Sequence, residues 1–194
     1  MSGFRLPGPA PARVLAFRFN GKAYAGREGD TLASALLANG VTLVGRSFKY
    51  HRPRGIIGSG FDETNALVQL ESGARTVPNA LATRVLLTDG LEARSVNCWP
   101  SVGFDIGAVN DRLSPLLSAG FYYKSFMWPG WRVFEGAIRR AAGLGRAPAL
   151  PDPDRYAAQR HDCAVLVVGG GIAGLAAARA AAETGGAVVL LEAE

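Results

Sequence analysis

The chain has 194 residues, of which 48% are hydrophobic and 19% charged, with a formal net charge of +5. That balance is ordinary for a globular protein and excludes a largely disordered chain. Two cysteines, Cys98 and Cys163, far apart in sequence, argue against both a disulfide framework and a zinc site. The longest apolar helical stretch, Ile172 to Ala182, is interrupted by Arg179 and followed by Glu183, so it is too short for a bilayer. Met1 to Pro11 lacks the apolar core of a secretion signal, and a cytoplasmic location without membrane contact is expected.

Residues 1–12 are expected to be an N-terminal tail. Arg13 to Ala25 alternate apolar and polar positions around Asn20-Gly21, the strongest short signal for a β-hairpin. Asp30 or Thr31 can cap a helix over Leu32 to Asn39, with Leu32, Ala35 and Leu36 on one face and Gly40 as its left-handed stop. Ala66 to Leu70 and Thr83 to Leu87 read as further strands, with turns at Ser72-Gly73 and Asp89-Gly90. Hairpin, helix and then strands is the order of a β-grasp domain, expected over 13–96.

Residues 97–145 form an aromatic-rich connecting segment. Trp99-Pro100 and Ser114-Pro115 discourage long regular elements there. Phe121, Tyr122, Tyr123, Phe126, Trp128 and Trp131 suit a local core or a helix packed between domains, or an interface with another subunit. A helix from Gly130 to Ala142 would bury Val133, Phe134, Ala137 and Ile138 and expose Arg132, Glu135, Arg139 and Arg140. Three prolines within Pro148 to Pro153 make 146–161 a stiff linker and the expected domain boundary.

Residues 162–194 read as strand, glycine turn, helix, strand and acid. Ala164 to Val168 leads into Gly169-Gly170-Gly171-Ile172-Ala173-Gly174, and Gly169, Gly171 and Gly174 have the G-x-G-x-x-G spacing. The first glycine allows a tight turn, the second lets backbone approach a pyrophosphate, and the third lets helix pack on strand. Glu192 follows the second strand, where a carboxylate can accept hydrogen bonds from both hydroxyls of an unphosphorylated ribose. NAD or FAD is therefore favoured over NADP. The expected architecture is α+β β-grasp followed by the first β-α-β unit of an α/β Rossmann-type domain, incomplete because a doubly wound sheet needs further strands.

Arg46-Ser47-Phe48-Lys49-Tyr50-His51-Arg52-Pro53-Arg54 is the densest basic patch. It can be a solvated loop, an anion or subunit contact, or a nucleic-acid contact; the last is disfavoured because the patch is neither extended along a helix nor repeated. His51 and His161 have no carboxylate at helix or turn spacing, so neither is assigned as a base, and no catalytic residue is expected. A non-catalytic assembly or binding module whose basic loop docks an acidic partner or nucleic acid stands as the alternative to an enzyme segment.

The run from Gly29 to Gly40, joined to Gly45 through Gly55, resembles the amino-terminal region of the alpha subunit of heterotetrameric sarcosine oxidase. Gly55 to Gly60 and Asn65 to Val68 continue the likeness, which the subunits of hydrogen cyanide synthase and of amino-acid or opine oxidases share. The resemblance implies an oxidoreductase complex with beta, gamma and delta subunits. It converts sarcosine to glycine, passes a one-carbon unit to tetrahydrofolate and sends electrons through flavin to oxygen. It also implies NAD at the glycine motif, with FMN and FAD held mainly on or with a partner subunit. Relatives with an iron–sulfur cluster carry cysteines in a C-x₄-C-x₂-C run. Here that run falls on Gly58, Glu63 and Ala66, so the expectation is a β-grasp domain with no iron–sulfur cluster.

Overall fold

In Val14–Phe19 (β1), Leu15, Phe17 and Phe19 point into a core while the residues between them face solvent, the period-two pattern of a half-buried strand. The computed structural model describes Arg5 and residues 13–71, 73–115, 120, 126–142 and 145–192. Lys22–Arg27 (β2) pairs antiparallel with β1, Phe17 opposite Tyr24. Asn20 and Gly21 both have positive φ, 51° and 78°, the geometry that a two-residue primed turn demands.

Leu32–Ala38 (α1) starts at a capping box: Thr31 accepts from the Ser34 amide, and the Ser34 hydroxyl accepts from the Thr31 amide. Thr31 is thus the cap, while Asp30 accepts from the Arg27 amide and the Ser34 hydroxyl and pairs with Arg5. Asn39 closes the helix and Gly40, at φ 74°, turns the chain away. Leu32, Ala33, Ala35 and Leu36 are buried. They meet Phe17, Phe19, Val44 and Val68, and each fully buried large side chain contributes about 1.5–3 kcal/mol.

Gly45–Arg46 (β3) and Pro53–Arg54 (β4) form a short ladder at the base of the basic loop. Leu67–Leu70 (β5), Val77–Leu81 (β6) and Leu91–Ser95 (β7) complete a mixed sheet in the order β2-β1-β7-β5-β6, with β1 and β7 parallel and the other pairs antiparallel. Sheet plus packed helix is the α+β, ferredoxin-like arrangement expected. The strand expected over Thr83 to Leu87 is not formed: that stretch is a turn, and Leu86 makes only an isolated bridge with Thr31. The strand lies earlier, in β6, where Pro78 and Asn79 weaken the local signal. Strand β7 also went unread, although Leu91, Ala93 and Ser95 alternate with Glu92 and Arg94 after the Asp89-Gly90 turn.

Beyond β7 the elements are short, a 3₁₀ turn at Ile106–Ala108 and Val109–Arg112 (α2). The helix expected over Gly130 to Ala142 runs Trp131–Ala142 (α3), but its burial is lighter than expected. Phe134 and Ile138 are half-buried, whereas Val133 and Ala137 are exposed. Phe126 packs on Phe134 with centroids 5.0 Å apart, while Trp128 is 85% exposed, so the described aromatics do not form a closed core. Phe121, Tyr122 and Tyr123, like most of residues 1–12, lie outside the described residues.

The chain divides into two compact units, Met1–Pro153 and Asp154–Glu194. In the second, Val165–Val168 (β8) and Val188–Leu191 (β9) pair in parallel, connected by Ile172–Glu183 (α4). Leu166, Val168, Ile172 and Leu175 are exposed there. Among the described residues, no helix is long and apolar enough to cross a membrane.

Candidate functional site

At the glycine turn in the second unit the three motif glycines have different surroundings. Gly169 has φ 103° and donates its amide to Leu191 O at 2.8 Å, so the turn closes over the end of β9. Gly171 is the N-cap of α4, and nothing lies within 4 Å of where its side chain would be. That open space sits at the helix N-terminus, where free amides and the helix dipole favour an anion. A Cβ at Gly174 would lie 1.8 Å from Gly169 O, so the third glycine permits contact between helix and turn. The sequence reading placed that contact against the strand, but it is made first with the turn's own carbonyl.

Glu192 follows β9 and reaches the same turn, accepting a hydrogen bond from the Gly170 amide. The seven residues singled out from sequence, Gly169 through Gly174 and Glu192, therefore meet in one place. Ile172 and Ala173 form the first helical turn and Ile172 is exposed.

A second polar centre lies in the first unit and was not read as one from the sequence. Glu63 is 3% exposed, and its carboxylate accepts four backbone hydrogen bonds. Ile57 and Gly58 amides donate to Oε2 at 2.8 and 2.9 Å, and Asn65 and Ala66 amides donate to Oε1 at 2.6 and 3.1 Å. Burial pushes this carboxyl up, but the four amides outweigh it and hold it below the usual glutamate range. The available signal was the acid pair Asp62-Glu63 in a loop rich in glycine, since such a loop can turn its amides inward.

His51 was likewise missed. It is buried, and its Nδ1 lies 2.6 Å from Asp105 Oδ2, a partner 54 positions away that no local spacing reveals. Asp105 Oδ1 accepts from the Trp99 and Gly107 amides, so this pair ties the basic loop to 99–107. Arg46 does the same, donating to Val102 O, His51 O and Gly103 O, and Arg52 pairs with Asp111 at 2.7 Å. Lys49 and Arg52 lie 4.7 and 4.8 Å from the Tyr50 ring centroid. Much of the basic patch is thus engaged within the domain.

Both cysteines are free and only half-buried. Burial and the Asp105 carboxylate push the Cys98 thiol up, against Arg46 and Arg94. Among the described residues, no three His, Cys, Asp or Glu side chains group as metal ligands.

Residues 12–98 match the family described as a 2Fe-2S iron-sulfur cluster binding domain. Over 99% of its length the chain is 56% identical to "Sarcosine oxidase subunit alpha" of Rhizobium meliloti (strain 1021), and over 92% it is 33% identical to the protein of that name from Corynebacterium sp. (strain U-96). The chain is thus homologous to sarcosine oxidase alpha subunits along nearly all its residues, as the resemblance implied. It spans only 20% and 14% of those relatives' lengths. A crystal structure of L-proline dehydrogenase from P. horikoshii covers 94% of this chain and 25% of that chain at 17% identity, with a TM-score of 0.46.

The family match corrects the expectation of no iron–sulfur cluster, because the matched domain is one described as binding it. The misreading arose from taking missing thiolates in one loop as loss of the cofactor, although a domain's membership rests on its whole sheet and helix. The loop itself, with Gly58, Glu63 and Ala66 at the three positions, offers one carboxylate already bonded to four amides and no thiolate. Those side chains do not fit a cluster held by thiolates.

Proposed function

We propose that this chain is a segment of an oxidoreductase subunit akin to sarcosine oxidase alpha, and that residues 164–192 supply the first half of its dinucleotide site. The observation that carries the reading is the meeting of the α4 N-terminus, the open face of Gly171 and the Glu192 carboxylate at one glycine turn. The pyrophosphate would lie over the Gly171 and Ile172 amides, where no Cβ intrudes and the helix dipole is favourable. The adenosine ribose would lie toward Glu192, whose charge favours two hydroxyls and repels a 2′-phosphate. NAD fits that preference better than NADP.

In this reading residues 162–194 open a Rossmann-type domain, and Arg146 to His161 connect it to the ferredoxin-like domain. The chain's role is binding and scaffolding within a complex of several subunits, and oxidation of an amine such as sarcosine belongs to the assembled enzyme. The test is calorimetric titration of NAD, NADP and FAD into the full-length subunit and its Gly171→Val variant. NAD binding that is lost in the variant is expected. Equal NAD affinity in both proteins refutes the assignment, since a valine at Gly171 would stand where the pyrophosphate must approach.

A further inference from the structure

Two buried carboxylates occur among the described residues, and they differ in kind. Asp105 faces a histidine as well as amides, whereas the four hydrogen bonds to Glu63 all come from backbone N–H groups. Two donors arrive from Ile57 and Gly58 and two from Asn65 and Ala66, one pair for each carboxylate oxygen. Converging amides of this sort form an anion-binding concavity irrespective of which anion fills it.

The backbone that carries these donors is fixed by other contacts. Thr83 Oγ1 donates to Gly60 O at 2.7 Å, and the Ala82 amide donates to Ala66 O at 2.9 Å. Gly55 lies so near Thr42 that a Cβ would come 2.6 Å from its carbonyl oxygen, and Gly58 lies as near to Asp62, at 2.8 Å. Both arms are thus held by neighbouring backbone and by the chain that leads into β5.

We propose that residues 57–66 form a preorganised anion cradle in which the Glu63 carboxylate is the resident anion, and that a free monocarboxylate such as formate occupies it once that side chain is removed. The cradle has the right donors for this class: two pairs of amides facing the two oxygens of one planar carboxylate, shielded from water.

The experiment follows thermal unfolding of the whole chain and of Glu63→Ala in increasing sodium formate, with sodium chloride at equal ionic strength as reference. The variant is expected to melt lower than the parent and to recover about half or more of the loss, rising with the logarithm of formate concentration. The parent and Glu63→Gln, whose cradles are filled, should respond to formate no more than to chloride. The amide resonances of residues 57, 58, 65 and 66 in Glu63→Ala should shift together and saturate. Equal responses of Glu63→Ala to formate and chloride overturn the proposal. If Glu63→Ala does not fold, recovery of its far-ultraviolet dichroism in formate but not in chloride supports the cradle, and no recovery overturns it.

Discussion

Replacing Gly174 by alanine sets two effects of opposite sign against each other. In an open helix the change stabilises by about 1 kcal/mol, because alanine loses less backbone freedom than glycine. At Gly174 the new Cβ would stand 1.8 Å from Gly169 O, whereas ordinary contact begins at 3.4 Å, so helix and turn must separate by about 1.6 Å. The obstacle is a carbonyl whose residue is itself bonded to Leu191, not the end of a flexible side chain. Overpacking of this kind costs about 3 kcal/mol at the upper end of the usual range. The net loss is about 2 kcal/mol, which corresponds to a roughly 30-fold fall in amide protection. The matched control is Gly136→Ala in α3, where nothing lies within 4 Å of the added atom. There the propensity gain acts alone, and protection of α3 amides should rise about fivefold. Hydrogen exchange reads each helix separately. If Gly174→Ala protects α4 as well as or better than the parent does, the steric account of the third glycine is wrong.

Glu63→Gln keeps the size of the side chain but turns an NH₂ group toward one pair of amide donors. Two buried hydrogen bonds are lost and two N–H groups left unpaired, which costs about 2–5 kcal/mol and lowers Tm by roughly 5–15 °C. Denaturant and thermal unfolding check this, and an unchanged midpoint contradicts it. Acid should weaken the fold through the same group and through Asp30. Burial raises the Asp30 carboxyl, but the Arg5 guanidinium, the Arg27 amide and the Ser34 hydroxyl together hold it low. Both folded-state values lie below the unfolded ones, near about 4. The unfolded chain therefore binds more protons, and the stabilisation is complete above the carboxylate range and disappears as pH falls through the folded values. Urea midpoints across that range should show the loss, and Glu63→Gln should show less of it. A parent midpoint independent of pH there rejects the argument.

What the sequence determined by itself is local. The Asn20-Gly21 hairpin, α1 with its cap and Gly40 stop, and the order strand, glycine turn, helix and strand in 164–191 rest on residues close in the chain. Their causes, positive φ at named glycines, side-chain capping and hydrophobic period, act over a few positions. Tertiary structure decided the rest. Strand β6 exists because β5 pairs with it, despite Pro78, while Thr83 to Leu87, more strand-like in composition, has no such partner and turns. His51 finds Asp105 across 54 positions, and Val133 is exposed whereas Phe134 packs against Phe126. Glu63 is the sharpest case, since its sequence suggests a solvated loop acid. Its burial and its four amides exist only because the fold brings 57–58 and 65–66 to the same point, where unpaired N–H groups would be costly without an anion.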